Sequence, residues 1–255
     1  MKKILCMLMA LLMLAAPALA QDSDLGYIKD KGKLVIGYTV YKPMNYTDEE
    51  GNFVGFDTEL AKAVSELLGL EAEFVEIVWE TKEVELAAKT IDCIWNGLTI
   101  DEDRKANMEI TVPYLENAQV VVMKADAEYK DTSSLAGKIV VAEAGSAGET
   151  TIKSDAGLQQ AEYIGKEVQT ACLMEVAAGT ADAAVLDLTL AQSMVGEGTD
   201  YAGLVIKDKL NVEYYGVAFR KGSDVAAEVN QAFLTLKDSG LLEQLAEKYG
   251  VTLAL

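Results

Sequence analysis

Short apolar runs typical of β-strands alternate with amphipathic helical runs in the first part of this chain, and this alternation constrains the fold most. The strand-type runs lie at 34–37, 72–77 and 91–95, and helical runs at 59–68 and 82–89 separate them. Strands that alternate with helices predict βαβ units, which build a parallel sheet with helices on both faces. The predicted fold class is therefore α/β.

A second βα series follows at 138–142, 167–178 and 183–187. The runs 119–123 and 214–219 are strand-like but have no helix partner of their own. Two series separated in this way predict two lobes, and a chain of this length exceeds a typical single core. A cleft between such lobes lies at the carboxyl ends of strands, where open α/β sheets bind ligands.

The N-terminus has the pattern of a secretory signal peptide. Lys2 and Lys3 precede an apolar run that ends in Ala-Leu-Ala at 18–20. A basic start, an apolar middle and small residues at the end predict cleavage after Ala20. The apolar run is too short for a membrane span of about 20 residues, so we expect a mature protein in the periplasm.

Charge and composition exclude several classes of function. The formal net charge of the chain is −19, and it becomes −21 once Lys2 and Lys3 are removed with the leader. An acidic surface repels nucleic acid and anionic lipid, so we expect neither as a partner. The chain contains no histidine, which excludes imidazole zinc sites and His-dependent nucleophiles. We expect no metal, no cofactor and no catalytic residue.

The mature chain keeps two cysteines. Cys93 falls in a strand of the first βα series, and Cys172 falls on a predicted helix of the second. An exported protein is able to form disulfides. These two residues lie in different lobes, however, so we expect two buried free thiols that serve packing.

The segment 95–104, WNGLTIDEDR, offers groups suited to one end of an amino acid zwitterion. Gly97 exposes backbone to a ligand, Thr99 adds a hydroxyl, and the Arg104 guanidinium matches a carboxylate with two hydrogen bonds. Asp187, at the end of a later apolar run, suits an ammonium group. Two alternatives stay open, namely that Arg104 pairs with neighbouring acids at 101–102 and that Asp187 caps a helix.

Seven segments appear in an order that resembles the polar-amino-acid branch of the extracellular solute-binding proteins of ABC importers. The resemblance covers essentially the whole mature chain, and its strength lies in the order and spacing of individually modest patterns. The segments are YKPM at 41–44, GFDTELAKAV at 55–64, FVEIVW at 74–79, WNGLTIDEDR at 95–104, AGSAGE at 144–149, GTADAAVLD at 179–187 and YYGVAFRKGS at 214–223.

This resemblance implies the two-lobe periplasmic-binding-protein fold, with a βα-built sheet flanked by helices in each lobe and two hinge strands between them. The implied boundaries are a signal peptide at 1–20, a first lobe at 21–118 and 217–255, and a second lobe at 119–216. In the family, the C-terminal helices return to the first lobe, and the runs 224–236 and 241–249 fit that return.

The resemblance also assigns ligand-binding residues. Arg104 is implied for the ligand carboxylate, Asp187 for its ammonium group, and the remaining contacts for Gly97, Thr99, Trp79, Tyr41, Ser146 and Ala147. Asn96 and Glu143 are weaker candidates. The chain departs from the family at Ala147, which often is a threonine, and at Val40, where binders of basic amino acids often carry an acid.

The implied function is the substrate-binding subunit of an ABC transporter, which delivers a free amino acid to a permease in the inner membrane. Because Val40 is not acidic, a neutral polar or small apolar amino acid is the favoured ligand. We expect a monomer that closes about its hinge and catalyses nothing. The alternative is a periplasmic dehydratase of the prephenate or arogenate type on the same fold, which needs a general acid such as Glu143 or Glu149.

Overall fold

The computed structural model describes residues 23–255. The predicted signal peptide at 1–20 lies outside the described residues. The strands are β1 (Lys33–Tyr38), β2 (Tyr46–Thr47), β3 (Phe53–Val54), β4 (Glu71–Glu76), β5 (Cys93–Thr99), β6 (Met108–Ile110), β7 (Leu115–Lys124), β8 (Ile139–Glu143), β9 (Glu162–Lys166), β10 (Ala183–Asp187), β11 (Leu204–Arg220) and β12 (Thr252–Leu253).

The helices fall between these strands, as the alternation predicted. Short 3₁₀ turns at Trp79–Thr81, Thr132–Leu135 and Leu158–Gln160 supplement them. The helices are α1 (Asp24–Lys31), α2 (Phe56–Leu67), α3 (Lys82–Ala87), α4 (Glu102–Asn107), α5 (Ala147–Ser154), α6 (Gln169–Ala178), α7 (Leu188–Met194), α8 (Val225–Asp238) and α9 (Leu241–Tyr249).

Two groups of parallel strands form the ends of one continuous hydrogen-bonded path, in the order β4-β1-β5-β11-β7-β10-β8-β9. Strand β1 pairs in parallel with β4 and β5, and β8 pairs in parallel with β9 and β10. We call the group of β1, β4 and β5 with α1–α4 the first lobe, and the group of β8, β9 and β10 with α5–α7 the second lobe. The two-lobe α/β fold is confirmed.

Strands β7 and β11 join the lobes. They pair with each other antiparallel from Leu204 opposite Lys124 to Tyr215 opposite Leu115. Strand β11 then continues alongside β5 of the first lobe, and β7 pairs with β10 of the second. The apolar runs 119–123 and 214–219 predicted only part of these strands. The first part of β11, before residue 214, contains many polar residues, and its residues vary between buried and exposed. It therefore has no apolar run that would predict a strand.

The C-terminal helices pack on the first lobe, as the resemblance implied. Helices α8 and α9 both lie against α2. Phe233 of α8 packs edge-on to Trp95 of β5, with ring centroids 5.9 Å apart, and Phe56 of α2 stacks with Tyr114 at 6.2 Å. All four rings are fully buried. This aromatic core holds the carboxyl end of β5, where the predicted site begins, in a fixed position.

In the described part of the chain both cysteines lie buried as free thiols, Cys93 on β5 and Cys172 on α6. Burial raises the pKa of each thiol, so both stay in the unreactive protonated form. They occupy the core positions that the sequence predicted for them. Among residues 23–255, no helix combines the length and the apolar composition that crossing a membrane requires.

Candidate functional site

A narrow cavity lies between the lobes, at the carboxyl ends of β5, β8 and β10. Residues from both lobes line it, and they include all the predicted site residues except Tyr41, together with the weaker candidates Asn96 and Glu143. The lining residues are Trp79, Asn96, Gly97, Thr99, Arg104, Glu143, Ser146, Ala147, Gln169 and Asp187. Parallel strands end on one edge of a sheet, which explains why segments far apart in sequence meet here.

Arg104 forms the positive end of the cavity, and the local chain orients it. It lies on the first helical turn after β5, where the Asp101 side chain accepts a hydrogen bond from its backbone N–H at 2.7 Å. Its Nη1 donates to the Thr99 carbonyl at 2.7 Å, and its Nε lies 3.3 Å from an Asp101 carboxylate oxygen. The alternative pairing with Asp101 is therefore present, but it occupies only one edge of the guanidinium.

The same guanidinium reaches across to the second lobe. Its Nη2 donates to the carbonyl of Gly145, in the loop after β8, at 3.3 Å. Lys82 Nζ donates to the same carbonyl at 2.9 Å. Two cations of the first lobe therefore converge on one backbone oxygen of the second, so the lobes are in a closed arrangement.

Gly97 occupies a position that only glycine fits. Its φ is +60°, and a Cβ there would come within 2.8 Å of the Tyr41 ring and 3.0 Å of the Tyr215 ring. Its N–H donates to the buried carboxylate of Asp57 at 2.7 Å. Burial raises the pKa of Asp57 to about 7, although this N–H and the Tyr114 hydroxyl favour the charged form. Asp57 therefore fixes the backbone that faces the cavity.

Trp79 provides the apolar wall of the first lobe. It begins a 3₁₀ turn after β4 and is 5% exposed. The Lys82 ammonium lies 4.9 Å from its ring centroid and donates to its carbonyl at 3.1 Å. Burial, and then the nearby Arg104, lower the pKa of Lys82 to about 8.

Tyr41 lies behind the cavity wall. The resemblance implied a ligand contact for its ring, but the ring lies against Gly97 and is not among the residues that line the cavity. Its hydroxyl lies 2.6 Å from the Tyr215 hydroxyl and also forms a hydrogen bond with Thr189 on α7. Tyr41 belongs to the first lobe and Thr189 to the second, so this hydroxyl links the lobes. The Tyr41 ring packs behind Gly97, because the absence of a side chain at Gly97 leaves room for it.

Asp187 forms the negative end, and side-chain amides surround it. Its Oδ1 accepts from Asn117 at 2.7 Å and from Gln119 at 2.6 Å, and its Oδ2 accepts from Gln169. It precedes α7, but its side chain makes no capping bond there. Asn117 accepts the Thr189 N–H at 3.2 Å instead. The predicted alternative, a helix cap, describes the position of Asp187 and not its side-chain contacts.

The second lobe also contributes a helix N-terminus. Ser146 is the N-cap of α5, and its hydroxyl accepts from the Glu149 N–H at 3.2 Å. Ala147 is the first residue of this helix, so its N–H is among the donors that a helix leaves without an internal partner. The positive end of the helix dipole thus points toward the cavity that these residues line.

Glu143 adds a second acid beside Asp187. It is 3% exposed, and within residues 23–255 its Oε1 has no hydrogen-bond partner. Burial, and then the charge of Asp187, raise the pKa of Glu143 to about 8, while Lys82 and Arg104 favour its charged form. At neutral pH its carboxyl group is therefore largely protonated and able to donate a hydrogen bond.

Sequence reasoning missed the polar residues that support the site. Gln169 lines the cavity, and Asn117, Gln119 and Glu213 lie next to Asp187. The signal that could have found three of them is polar character within a strand. Asn117, Gln119 and Glu213 lie buried on β7 and β11, where a polar side chain needs a hydrogen-bond partner. In the described part of the chain, no three His, Cys, Asp or Glu side chains cluster in a way that would hold a metal ion.

The fold and the cavity define a two-lobed protein built to enclose a small ligand between its lobes. Residues 34–252 match the family model of bacterial extracellular solute-binding proteins, family 3, so the chain belongs to that family. The resemblance stated from the sequence is confirmed.

Two named relatives match this chain over most of their lengths. The arginine-binding extracellular protein ArtP of Bacillus subtilis is 29% identical over 256 residues, with 98% of each chain covered. The histidine-binding periplasmic protein of Salmonella typhimurium is 30% identical, with 82% of this chain and 84% of the relative covered. Both are named as binding proteins, and the prediction that this chain is not an enzyme is confirmed by that agreement.

Solved structures agree with the fold. A crystal structure of a mutant ArgBP from T. maritima has a TM-score of 0.82 and 32% identity, and it covers 89% of this chain and 98% of its own. An ancestral amino acid-binding protein, AncCDT-1, described as a precursor of cyclohexadienyl dehydratase, has a TM-score of 0.80 and 30% identity over 89% of this chain and 99% of its own. The dehydratase alternative therefore has a structural neighbour, but one described as amino acid-binding.

Proposed function

We propose that this chain is the substrate-binding subunit of an ABC importer and that it binds one free amino acid between its lobes. One observation carries the proposal. A guanidinium, Arg104, and a carboxylate, Asp187, line the same cavity from opposite lobes. An amino acid zwitterion has the complementary pair of charges on one carbon, so a single ligand satisfies both ends. The names of the relatives support a free amino acid as the ligand.

The ligand carboxylate binds Arg104 and the N-terminus of α5. A planar guanidinium forms two parallel charge-assisted hydrogen bonds with a carboxylate. Ser146 and Ala147 face the same space, where the Ala147 N–H and the Ser146 hydroxyl supply further donors. In this role the carboxylate replaces the Gly145 carbonyl as the partner of Arg104 Nη2. The ligand therefore takes over a contact that already spans the lobes.

The ligand ammonium group binds Asp187, the Gly97 carbonyl and the Thr99 hydroxyl oxygen. Asp187 stays charged next to a cation, since the ammonium compensates the cost of its burial. The Thr99 hydroxyl donates its own proton to Glu213 at 2.9 Å, which leaves its oxygen lone pairs for the ligand. Asn96 lines the cavity, but its amide is bonded to Thr39 and Asn45, so it supports the wall.

We propose a neutral polar or small apolar amino acid as the preferred ligand. The cavity is narrow, and Trp79 and Glu143 bound the space that remains beyond the two charged ends. The Lys82 ammonium acts on Glu143 and repels a second positive charge, so Glu143 does not provide the anionic pocket that such a ligand needs. Its Oε1 instead suits a hydroxyl or amide donor on the ligand. Arginine and histidine, which the relatives are named for, are the competing ligands.

We also propose how the subunit works in transport. The signal peptide at 1–20 directs it to the periplasm as a monomer, and the lobes at 21–118 with 217–255 and at 119–216 move about β7 and β11. Ligand binds the closed state better than the open state and shifts the equilibrium toward it. The closed form is what the permease in the inner membrane recognises.

A thermal-shift screen of residues 21–255 against all the common amino acids tests the proposal, after unfolding and refolding have removed carried-over ligand. At a thousandfold excess over its dissociation constant, a true ligand adds about 4 kcal/mol of apparent stability. We expect neutral polar or small apolar amino acids to give the largest shift. A larger shift with arginine or histidine would overturn the proposed preference, and no shift with any amino acid would overturn the function.

Two variants make the screen specific for the site. Arg104→Lys keeps the charge but loses the paired geometry, so we expect a smaller shift with the same ligand. Lys105→Ala removes the neighbouring cation, whose side chain is exposed and pairs with Glu102. This control is expected to shift as the wild type does. An equal loss in both variants would show that the ligand responds to surface charge and not to the cavity.

A further inference from the structure

Two buried carboxylates next to the cavity share the same hydrogen-bond donors. Glu213, on β11, accepts from Asn117 Nδ2 at 2.7 Å and from Gln119 Nε2 at 2.8 Å. Both nitrogens also donate to Asp187 Oδ1, at 2.7 Å and 2.6 Å. Each amide thus directs one hydrogen to each acid. Two bridging amides therefore hold Glu213 and Asp187 close together as a pair.

The surroundings of this pair make a double negative charge costly. Glu213 is 7% exposed and Asp187 is 6% exposed. Among residues 23–255, no lysine or arginine nitrogen lies within 4.0 Å of either carboxylate. Burial raises the pKa of both acids, and the charge of Asp187 raises the pKa of Glu213 further. Like charges at this range in a poorly solvated site favour retention of a proton.

Other ionisable groups around the pair do not neutralise it. Glu143 on β8 and the phenols of Tyr41 and Tyr215 lie close to Asp187, and none of them is a cation. The cations Arg104 and Lys82 act on Glu143 and bond to the Gly145 carbonyl. On the other side, Glu213 lines an open groove whose wall includes Asp101 and Asp155. This groove connects the pair to solvent.

We propose that Glu213 and Asp187 share one proton in the ligand-free protein and that the ammonium group of a bound amino acid expels this proton to solvent. The second half rests on the proposed function, because it requires an ammonium group at Asp187. Glu213 is then a positioning residue, which acts on the ligand through Asn117, Gln119 and Asp187. The proton leaves from the carboxyl group to water in the groove, and no bond between heavy atoms changes.

The sign of the pH dependence follows from this exchange. A cation at Asp187 stabilises the doubly charged pair, so ligand binding lowers the pKa at which the shared proton is held. Ligand affinity therefore rises with pH, by up to tenfold per pH unit, between the pKa of the carboxylate pair in the ligand-bound protein and its pKa in the ligand-free protein. Above the pKa of the pair in the ligand-free protein, the ligand affinity becomes constant.

A titration of the ligand-free protein tests the first half without any ligand. Carboxyl ¹³C NMR follows the acids in the wild type, in Glu213→Gln and in Asp187→Asn. We expect one titration near neutral pH that is present in the wild type and absent from both variants. Titrations of Glu143 and Asp57, which also have raised pKa values, persist in them. If Glu213→Gln and Asp187→Asn lost none of the near-neutral titrations that the wild type shows, the shared proton would be overturned.

Calorimetry in buffers of different ionisation enthalpy tests the second half with the amino acid that the thermal-shift screen selects. Near neutral pH we expect the wild type to release close to one proton, and Glu213→Gln to release none while still binding. The exposed Glu162→Gln is the matched control and is expected to behave as the wild type. Binding without proton release in the wild type would overturn the inference and leave the proposed function intact. Absence of binding would overturn the proposed function, while the NMR titration still decides whether the proton is shared.

Discussion

The positive and negative ends of the cavity are built in opposite ways. Arg104 is oriented by groups within five residues of it, the Thr99 carbonyl and the Asp101 carboxylate. Asp187 is held by side chains from β7 and α6, up to 70 positions away in sequence. Arg104 has one further partner from the distant second lobe, the Gly145 carbonyl at 3.3 Å, whereas the side-chain partners of Asp187 all come from distant residues. A sequence motif is therefore enough to locate the Arg104 end of the site, whereas the Asp187 end becomes visible only in the folded structure.

The comparison predicts unequal sensitivity to mutation, and Arg104→Ala is the most damaging change. It removes the paired partner of the ligand carboxylate and leaves that charge unsatisfied in a closed cavity. Such truncations cost about 2–5 kcal/mol of binding free energy. Because Arg104 is held by local contacts, we expect the fold to remain intact by circular dichroism and calorimetry to detect no binding. Near-native affinity in the folded variant would refute its role.

Asp187→Asn tests the opposite end, with a smaller expected effect. The amide keeps the shape but loses the charge, and hydrogen bonds to charged groups contribute about 1.5–3 kcal/mol. Because we propose that the carboxylate of the ligand docks on Arg104 first, the dissociation rate should rise far more than the association rate falls. Stopped-flow fluorescence of Trp79 separates the two rates. A variant that slows association alone would contradict this order of events.

Gln169→Ala tests whether the Asp187 end of the cavity depends on side chains that are distant in sequence. It removes one of the three amides that bond to Asp187, and an intramolecular hydrogen bond contributes about 1 kcal/mol. We therefore expect an affinity loss of about fivefold without direct contact between position 169 and the Arg104 end. Its matched control is Gln159→Ala, whose amide bonds a surface carbonyl. An equal effect of the two variants on ligand affinity would contradict the assembled negative end.

Tyr41→Phe is expected to have the smallest effect. It removes the hydroxyl that links the first lobe to Thr189 but keeps the ring behind Gly97. A lost hydrogen bond of this kind costs about 0.5–1.5 kcal/mol, so closure weakens slightly while ligand selectivity stays the same. Affinity ratios across the amino acid panel measure this. A changed ratio between ligands would show that the phenol contacts the ligand directly.

The contrast between the two ends also explains which parts of the fold and of the site could be predicted from the sequence. The alternation of strands and helices predicted the α/β lobes, and the segment 95–104 predicted the Arg104 end because its contacts are local. The amide network around Asp187 could not be predicted, since Asn117, Gln119 and Gln169 meet it only after β7, β10 and α6 assemble. Tyr41 is the reverse case, because the resemblance implied a ligand contact for it and its ring packs against Gly97, outside the residues that line the cavity.

The central claim is that opposite charges on opposite lobes make the ligand itself close the cleft. Small-angle X-ray scattering of residues 21–255, with and without the selected amino acid, tests this most directly. We expect the radius of gyration of the wild type to fall on binding, and that of Asp187→Asn to stay larger at matched occupancy. Binding that leaves the dimensions of the wild type unchanged would contradict the account.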